Sequence, residues 1–150
     1  MATLAQSSPW RLEQVTKNQN PSFRFSKRSR TLGRFRQVFP FTLFPDDLVI
    51  EENRIVWINN KGPWTKEIIS TMATDIASID SSTGPIMGHI HVRSLTGGPE
   101  IVLDKLPKND VLKARFLIEG VVINSRRGEI IEKPNLEVER SYLINKGRIN

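Results

Sequence analysis

The sequence predicts a mainly β domain closed by a single C-terminal helix and preceded by an extended, strongly basic arm. Three observations carry that expectation. Short apolar-alternating segments recur between turn signals from about residue 40 to 106. One long segment of helical period follows them. The excess positive charge of the chain, finally, is gathered ahead of both.

In chain order, residues 1–37 are read as a flexible arm, 38–124 as the domain and 125–150 as a C-terminal extension. Residues 1–22 are polar and aperiodic. Pro40 and Pro45 bracket Phe41–Phe44 as a short extended edge piece. Asp46–Glu52 and Arg54–Asn60 form a hairpin, and Asn59-Asn60-Lys61-Gly62-Pro63 marks a turn. Strands follow at Trp64–Ala73 and Asp75–Ser81, then a break at Thr83-Gly84-Pro85. Ile86–Arg93 has the sharpest two-residue period, setting Ile86, Gly88, Ile90 and Val92 on one face and Met87, His89, His91 and Arg93 on the other. Gly97-Gly98-Pro99 turns the chain into a last strand, Glu100–Leu106.

The helix is expected over Lys108–Ile123, with Asn109 as N-cap and Asp110 at the positive end of its dipole. Val111, Ala114, Leu117, Ile118, Val121 and Val122 fill one arc of it. A thinner ridge of Leu112, Phe116 and Ile123 stands beyond the Arg115/Glu119 pair. That ridge either docks a protein partner or a second copy, or is covered by the chain's own tail through Leu136, Val138, Tyr142 and Leu143. Six or seven short strands and one helix suit a small sandwich or partly open barrel, not an α/β sheet, which needs helices between its strands.

The stretch Phe39-Pro40-Phe41-Thr42-Leu43-Phe44-Pro45-Asp46, the Thr83-Gly84-Pro85 break and the run Lys113–Ile123 resemble bacterial pleckstrin-homology-like (PH-like) domain proteins of the candidate-phylum type. The resemblance covers residues 38–124 and implies a strongly bent seven-stranded sheet capped by a C-terminal helix. It implies a binding or adaptor role without fixing the ligand, since one fold serves many functions. Phosphoinositide-binding members of that family carry basic residues in the first hairpin loop. The hairpin read here has Asp46-Asp47 before it and Glu51-Glu52 at its turn, which speaks against head-group binding there.

Catalysis finds little support. There is no cysteine, so thiol nucleophiles and thiolate metal sites are excluded. His89 and His91 share a strand face, but Met87 and Arg93 beside them are the wrong company for a metal, and a solvent-facing pair is expected. Asp46/Asp47 and Glu51/Glu52 are sequence neighbours whose side chains diverge in a strand, so they read as solvated turn flanks, not an acid/base dyad. Trp57 and Trp64 are read as core. No enzyme activity, cofactor, metal or small-molecule substrate is expected.

The arm carries the functional expectation. Residues 1–36 hold eight Lys/Arg and one acid, a balance of +7, while the other 114 hold 14 Lys/Arg and 15 acids. Arg24, Lys27, Arg28, Arg30, Arg34 and Arg36 alternate with Phe23, Phe25 and Phe35 within one short stretch. Cations at that density bind polyanions, and aromatic rings enter a membrane interface or stack on unpaired bases. The expected role is an adaptor tethered to RNA or to an anionic membrane through residues 23–36; the alternative is a structural subunit of a ribonucleoprotein with the arm laid along RNA. No apolar run approaches the roughly 18–20 residues that span a bilayer. The arm loosely resembles a transit peptide, yet is read as retained, which sets the expected home in the cytoplasm, free or peripheral to a membrane.

Overall fold

A computed structural model describes residues 30–128 and 135–148. Seven strands come first: β1 Thr31–Arg36, β2 Asp47–Glu51, β3 Arg54–Asn60, β4 Lys66–Met72, β5 Ile76–Thr83, β6 Met87–Ser94 and β7 Ile101–Pro107. Two helices follow, α1 Lys108–Arg127 and α2 Leu136–Arg148. The strands form two antiparallel meanders, β1-β2-β3-β4 and β5-β6-β7, which do not close into a barrel. The chain is therefore mainly β with a C-terminal helix. Among the described residues no helix is long and apolar enough to cross a membrane.

Alternation builds the inner faces. Leu48 and Ile50 of β2, Ile55 of β3, and Ile90 and Val92 of β6 are buried, and apart from Asp47 their sequence neighbours are half-buried or exposed. A 3-10 turn, Ala73–Asp75, passes the chain from the first sheet to the second, with Ala73 buried and its N–H donated to Asn53 O at 2.8 Å. Asp75 fixes the corner by accepting bonds from the Ser94 and Thr96 hydroxyls at 2.7 and 3.0 Å.

Two bulges shift that alternation. In β7, Ile101 and Leu103 face the core and so does Leu106, an odd spacing. Lys105 absorbs the extra residue with a left-handed φ of 56°, and the β6–β7 register slips between Gly88 and Ile90 at the same place. In β1 the register slips between Thr31 and Gly33, so Leu32 is wholly buried out of phase with half-buried Phe35.

Helix α1 docks on the inner faces of both sheets through Val111, Ala114, Leu117, Ile118, Val121 and Val122, as its period predicts. At roughly 1.5–3 kcal/mol per large side chain, this burial is worth on the order of 10 kcal/mol gross. The helix starts one residue earlier than the expected cap: Pro107, not Asn109, is the N-cap, and no side chain caps it. It ends where Gly128 takes a left-handed φ of 65° and bonds back to Asn124 O and Ser125 O.

The expected arm boundary is corrected. Residues 31–36 form an edge strand of the first sheet, because Leu32 and Phe35 have a core to pack on and the backbone pairs with β2. The first hairpin is therefore β1–β2, with a loop over residues 37–46, not the hairpin at 46–60. Phe41–Phe44 is turn and bend, not an extended piece.

Candidate functional site

In an antiparallel meander, the β1–β2 and β3–β4 loops leave the same end of the sheet. They meet here around a shallow cleft of about 340 Å³, lined by Leu43, Phe44 and Pro45 from one loop and Gly62 and Pro63 from the other. Arg34, Arg36, Asp47, Asn60 and Lys66 line it from the strand ends. Three cations against one acid leave an excess of two positive charges around the opening.

Asp46 and Asp47 organise this end of the molecule, and both are buried. Asp47 is held by the Arg34 fork, with Nη2 at 2.9 Å and Nε at 3.3 Å, and by Arg36 Nε at 3.7 Å. That hydrogen bond first, and the charge of Asp47 second, raise the Arg34 pKa further, so its guanidinium stays protonated. Asp46 accepts the Asn60 N–H at 2.7 Å and the Trp57 Nε1–H at 3.2 Å. The Asn60 side-chain amide donates to Pro45 O at 2.6 Å, and Gln37 Oε1 accepts the Asp46 N–H at 3.0 Å. The reading of these two acids as solvated turn flanks is thus corrected: each is a buried staple, one for the arginines of β1 and one for the paired loops.

A third anchor comes from the other sheet. The left-handed bulge at Lys105 turns its carbonyl to accept the Val38 N–H at 3.1 Å, and its ammonium donates to Phe41 O at 2.9 Å. Backbone strain of this kind persists where the surroundings over-determine it. Here it fixes the β1–β2 loop.

What the anchored loops present is apolar. Phe39, Phe41, Leu43 and Phe44 are 67, 57, 77 and 43% exposed, and Trp64, next to Pro63 in the facing loop, is 94% exposed. Trp64 is not core, contrary to the sequence reading; of the two, Trp57 packs inward, half-buried against the cluster.

Of the six cations expected to bind a polyanion, Arg24, Lys27 and Arg28 lie outside the described residues, as do Phe23 and Phe25. Arg30 reaches Glu52 at 3.7 Å and Glu139 of α2 at 3.8 Å, at the opposite end of β1 from the cleft. Arg34 and Arg36 stand on the cleft, already engaged with Asp47. The described cations are thus divided between the two ends of a strand. Phe35 packs on the core beside Leu117 and Ile144, not in an arm.

The expected partner ridge is broken up. Helix α2 lies along α1 so closely that a Cβ on Gly120 would overlap the Leu143 backbone, and one on Gly147 the Phe116 backbone. Arg148 sits over the Phe116 ring at 5.4 Å. Ile123 belongs to a separate hollow with Ile79, Glu119 and Val122, and Leu112 is at the surface. The chain's own tail meets the middle of the ridge at Phe116 through Gly147 and Arg148, and buried Leu143 packs on Gly120, while Val138 and Tyr142 face outward. His91 Nε2 lies 2.6 Å from Glu100 Oε2, and His89 is exposed.

No family model matches the sequence, and a search of curated proteins returns no match.

Proposed function

We propose that the chain is a non-catalytic, PH-like binding module, an adaptor held on a polyanionic surface by the basic segment that runs from residue 23 into β1 and by the cleft at that strand's end. The observation that carries this reading is the placement of charge. Residues 1–36 balance at +7 in a chain of +6, and their last two arginines open onto a cleft with Lys66 and a surplus of positive charge. The order of the elements, seven strands and then a helix on their inner faces, supports the PH-like part. The nearby acids are taken up in structural pairs, with buried Asp46 and Asp47 each accepting two hydrogen bonds from named donors. They position loops and strands; they do not converge on a reacting group.

Salt titration of the full chain against single-stranded RNA and against phosphatidylserine vesicles tests the reading. Binding is expected to weaken steeply with salt. Replacing Arg24, Lys27 and Arg28 together by Gln should flatten the log-log slope on RNA by about 0.7 for each phosphate that is no longer neutralised. Absence of salt-sensitive binding to either polyanion at low ionic strength sinks the proposal. The strand assignment also sets the boundary for any truncation: removal of residues 1–37 would take β1 and Leu32 out of the core.

A further inference from the structure

We infer that the apolar tip formed by the β1–β2 and β3–β4 loops enters the interfacial layer of an anionic lipid bilayer. The inference rests on the polyanion reading above and names which polyanion the structure favours.

Exposure alone would not carry it, because single apolar residues on a surface are ordinary. Five large ones on two adjoining loops are not. Nor is the longer loop slack. Asp46, Asn60, Gln37 and Lys105 tie its ends and its middle to β3 and β7. A loop fixed this firmly with its Phe and Leu side chains outward is built to present them. Burying them within the fold would have gained their transfer free energy, and the fold forgoes it.

The arrangement along the strand axis separates lipid from RNA. Arg34 and Arg36 stand on β1 and Lys66 is the first residue of β4, so these cations sit on the strands, while Phe39, Phe41, Leu43, Phe44 and Trp64 belong to the loops beyond them. Apolar residues outermost with cations behind match a bilayer edge, where acyl chains lie deeper than lipid phosphates. Trp and Phe suit that layer, and each nearby Lys or Arg adds attraction to anionic head groups. Stacking on bases favours rings at the level of the cations, and Leu43, the most exposed member of the longer loop, has no π face to offer a base. The cleft is also poorly suited to a single head group, because buried Asp47 already occupies the Arg34 fork and lies 3.7 Å from Arg36 Nε. Attachment by this end is therefore a matter of apolar insertion and diffuse charge, not of a stereospecific phosphate cage.

The experiment compares the full chain with Phe39→Ser/Phe41→Ser, two exposed rings outside the cleft lining, and with Trp64→Ser, using phosphatidylcholine vesicles with and without phosphatidylserine, and single-stranded RNA. Affinity for the phosphatidylserine vesicles is expected to fall at least about tenfold in the double variant. RNA binding and the thermal midpoint should stay unchanged. In the unmodified chain, brominated lipids should quench tryptophan fluorescence, and Trp64→Ser should remove most of that quenching. Undiminished vesicle binding by both variants, or binding to RNA but not to vesicles, overturns the inference and leaves the polyanion reading standing. Equal loss of vesicle and RNA binding in the double variant also overturns it, because the tip would then serve no lipid-specific role. Failure of the unmodified chain to bind either polyanion removes the broader reading as well.

Discussion

The helix-covered side of the molecule and the loop end of its first sheet use the same kinds of side chain for opposite ends. Beneath α1, Leu32, Leu48, Ile50, Ile90, Leu103, Leu117 and Ile118 are all essentially inaccessible. At the loop end, Phe, Leu and Trp side chains stand exposed on loops anchored through Asp46, Asn60 and Lys105. The polar residues divide in the same way. Asp46 and Asp47 are buried in order to keep that end rigid, whereas Asp80, on the second sheet, makes a surface pair with Arg93. Stability is invested in one region and presentation in the other, so substitutions in the two should separate cleanly.

The largest contrast is expected between matched leucine truncations. Leu117→Ala opens a cavity between α1 and β1 and should cost about 2–5 kcal/mol in denaturant unfolding. Leu43→Ala should stay within about 0.5 kcal/mol of the parent. Comparable losses from the two would mean that the loop end is a second core and not a presented surface. The next effect concerns the packing of α1 against α2. Gly147→Leu cannot be accommodated against the Phe116 backbone, so α2 should lift from α1 at a cost of about 1–3 kcal/mol. Proteolysis should then cut within residues 136–148 while the β domain remains resistant. Resistance unchanged from the parent would show that the helices reach their close approach some other way.

Most of the strand order was legible because clear turn signals separate short apolar segments, β6 carries ordinary alternation, and α1 carries an uninterrupted helical stripe. β1 escaped for a physical reason. Its bulge puts Leu32 and Phe35 out of phase, and the arginines between and after them read as a solvated arm. Helix α2 was hidden differently: its buried positions are Glu139, Leu143 and Gly147, a face made for close backbone approach and a carboxylate, with almost no hydrophobic period. The candidate site was half legible. Density of Phe and Arg singled out the right stretch of chain. Which phenylalanines face water, and which arginines are spent on a carboxylate, depends on Asp46, Asp47 and the Lys105 bulge, whose bonds no local pattern encodes.

The smallest effect on stability, and the most pointed, is expected from Asp47→Asn. The substitution keeps the shape of the side chain but removes the charge that Arg34 and Arg36 share. Both arginines are well exposed, so water screens much of the missing attraction and the thermal midpoint should drop less than in Gly147→Leu. Binding should move the other way. With Asp47 neutral, the cleft carries three uncompensated cations instead of a surplus of two, and Arg34 and Arg36 are free to meet anionic phosphates. Affinity for phosphatidylserine vesicles should rise and become more sensitive to salt, while affinity for pure phosphatidylcholine stays flat. A variant that loses stability and gains no affinity would mean that Asp47 holds these arginines in the only geometry in which they serve the surface, making the pair part of the site instead of a restraint upon it.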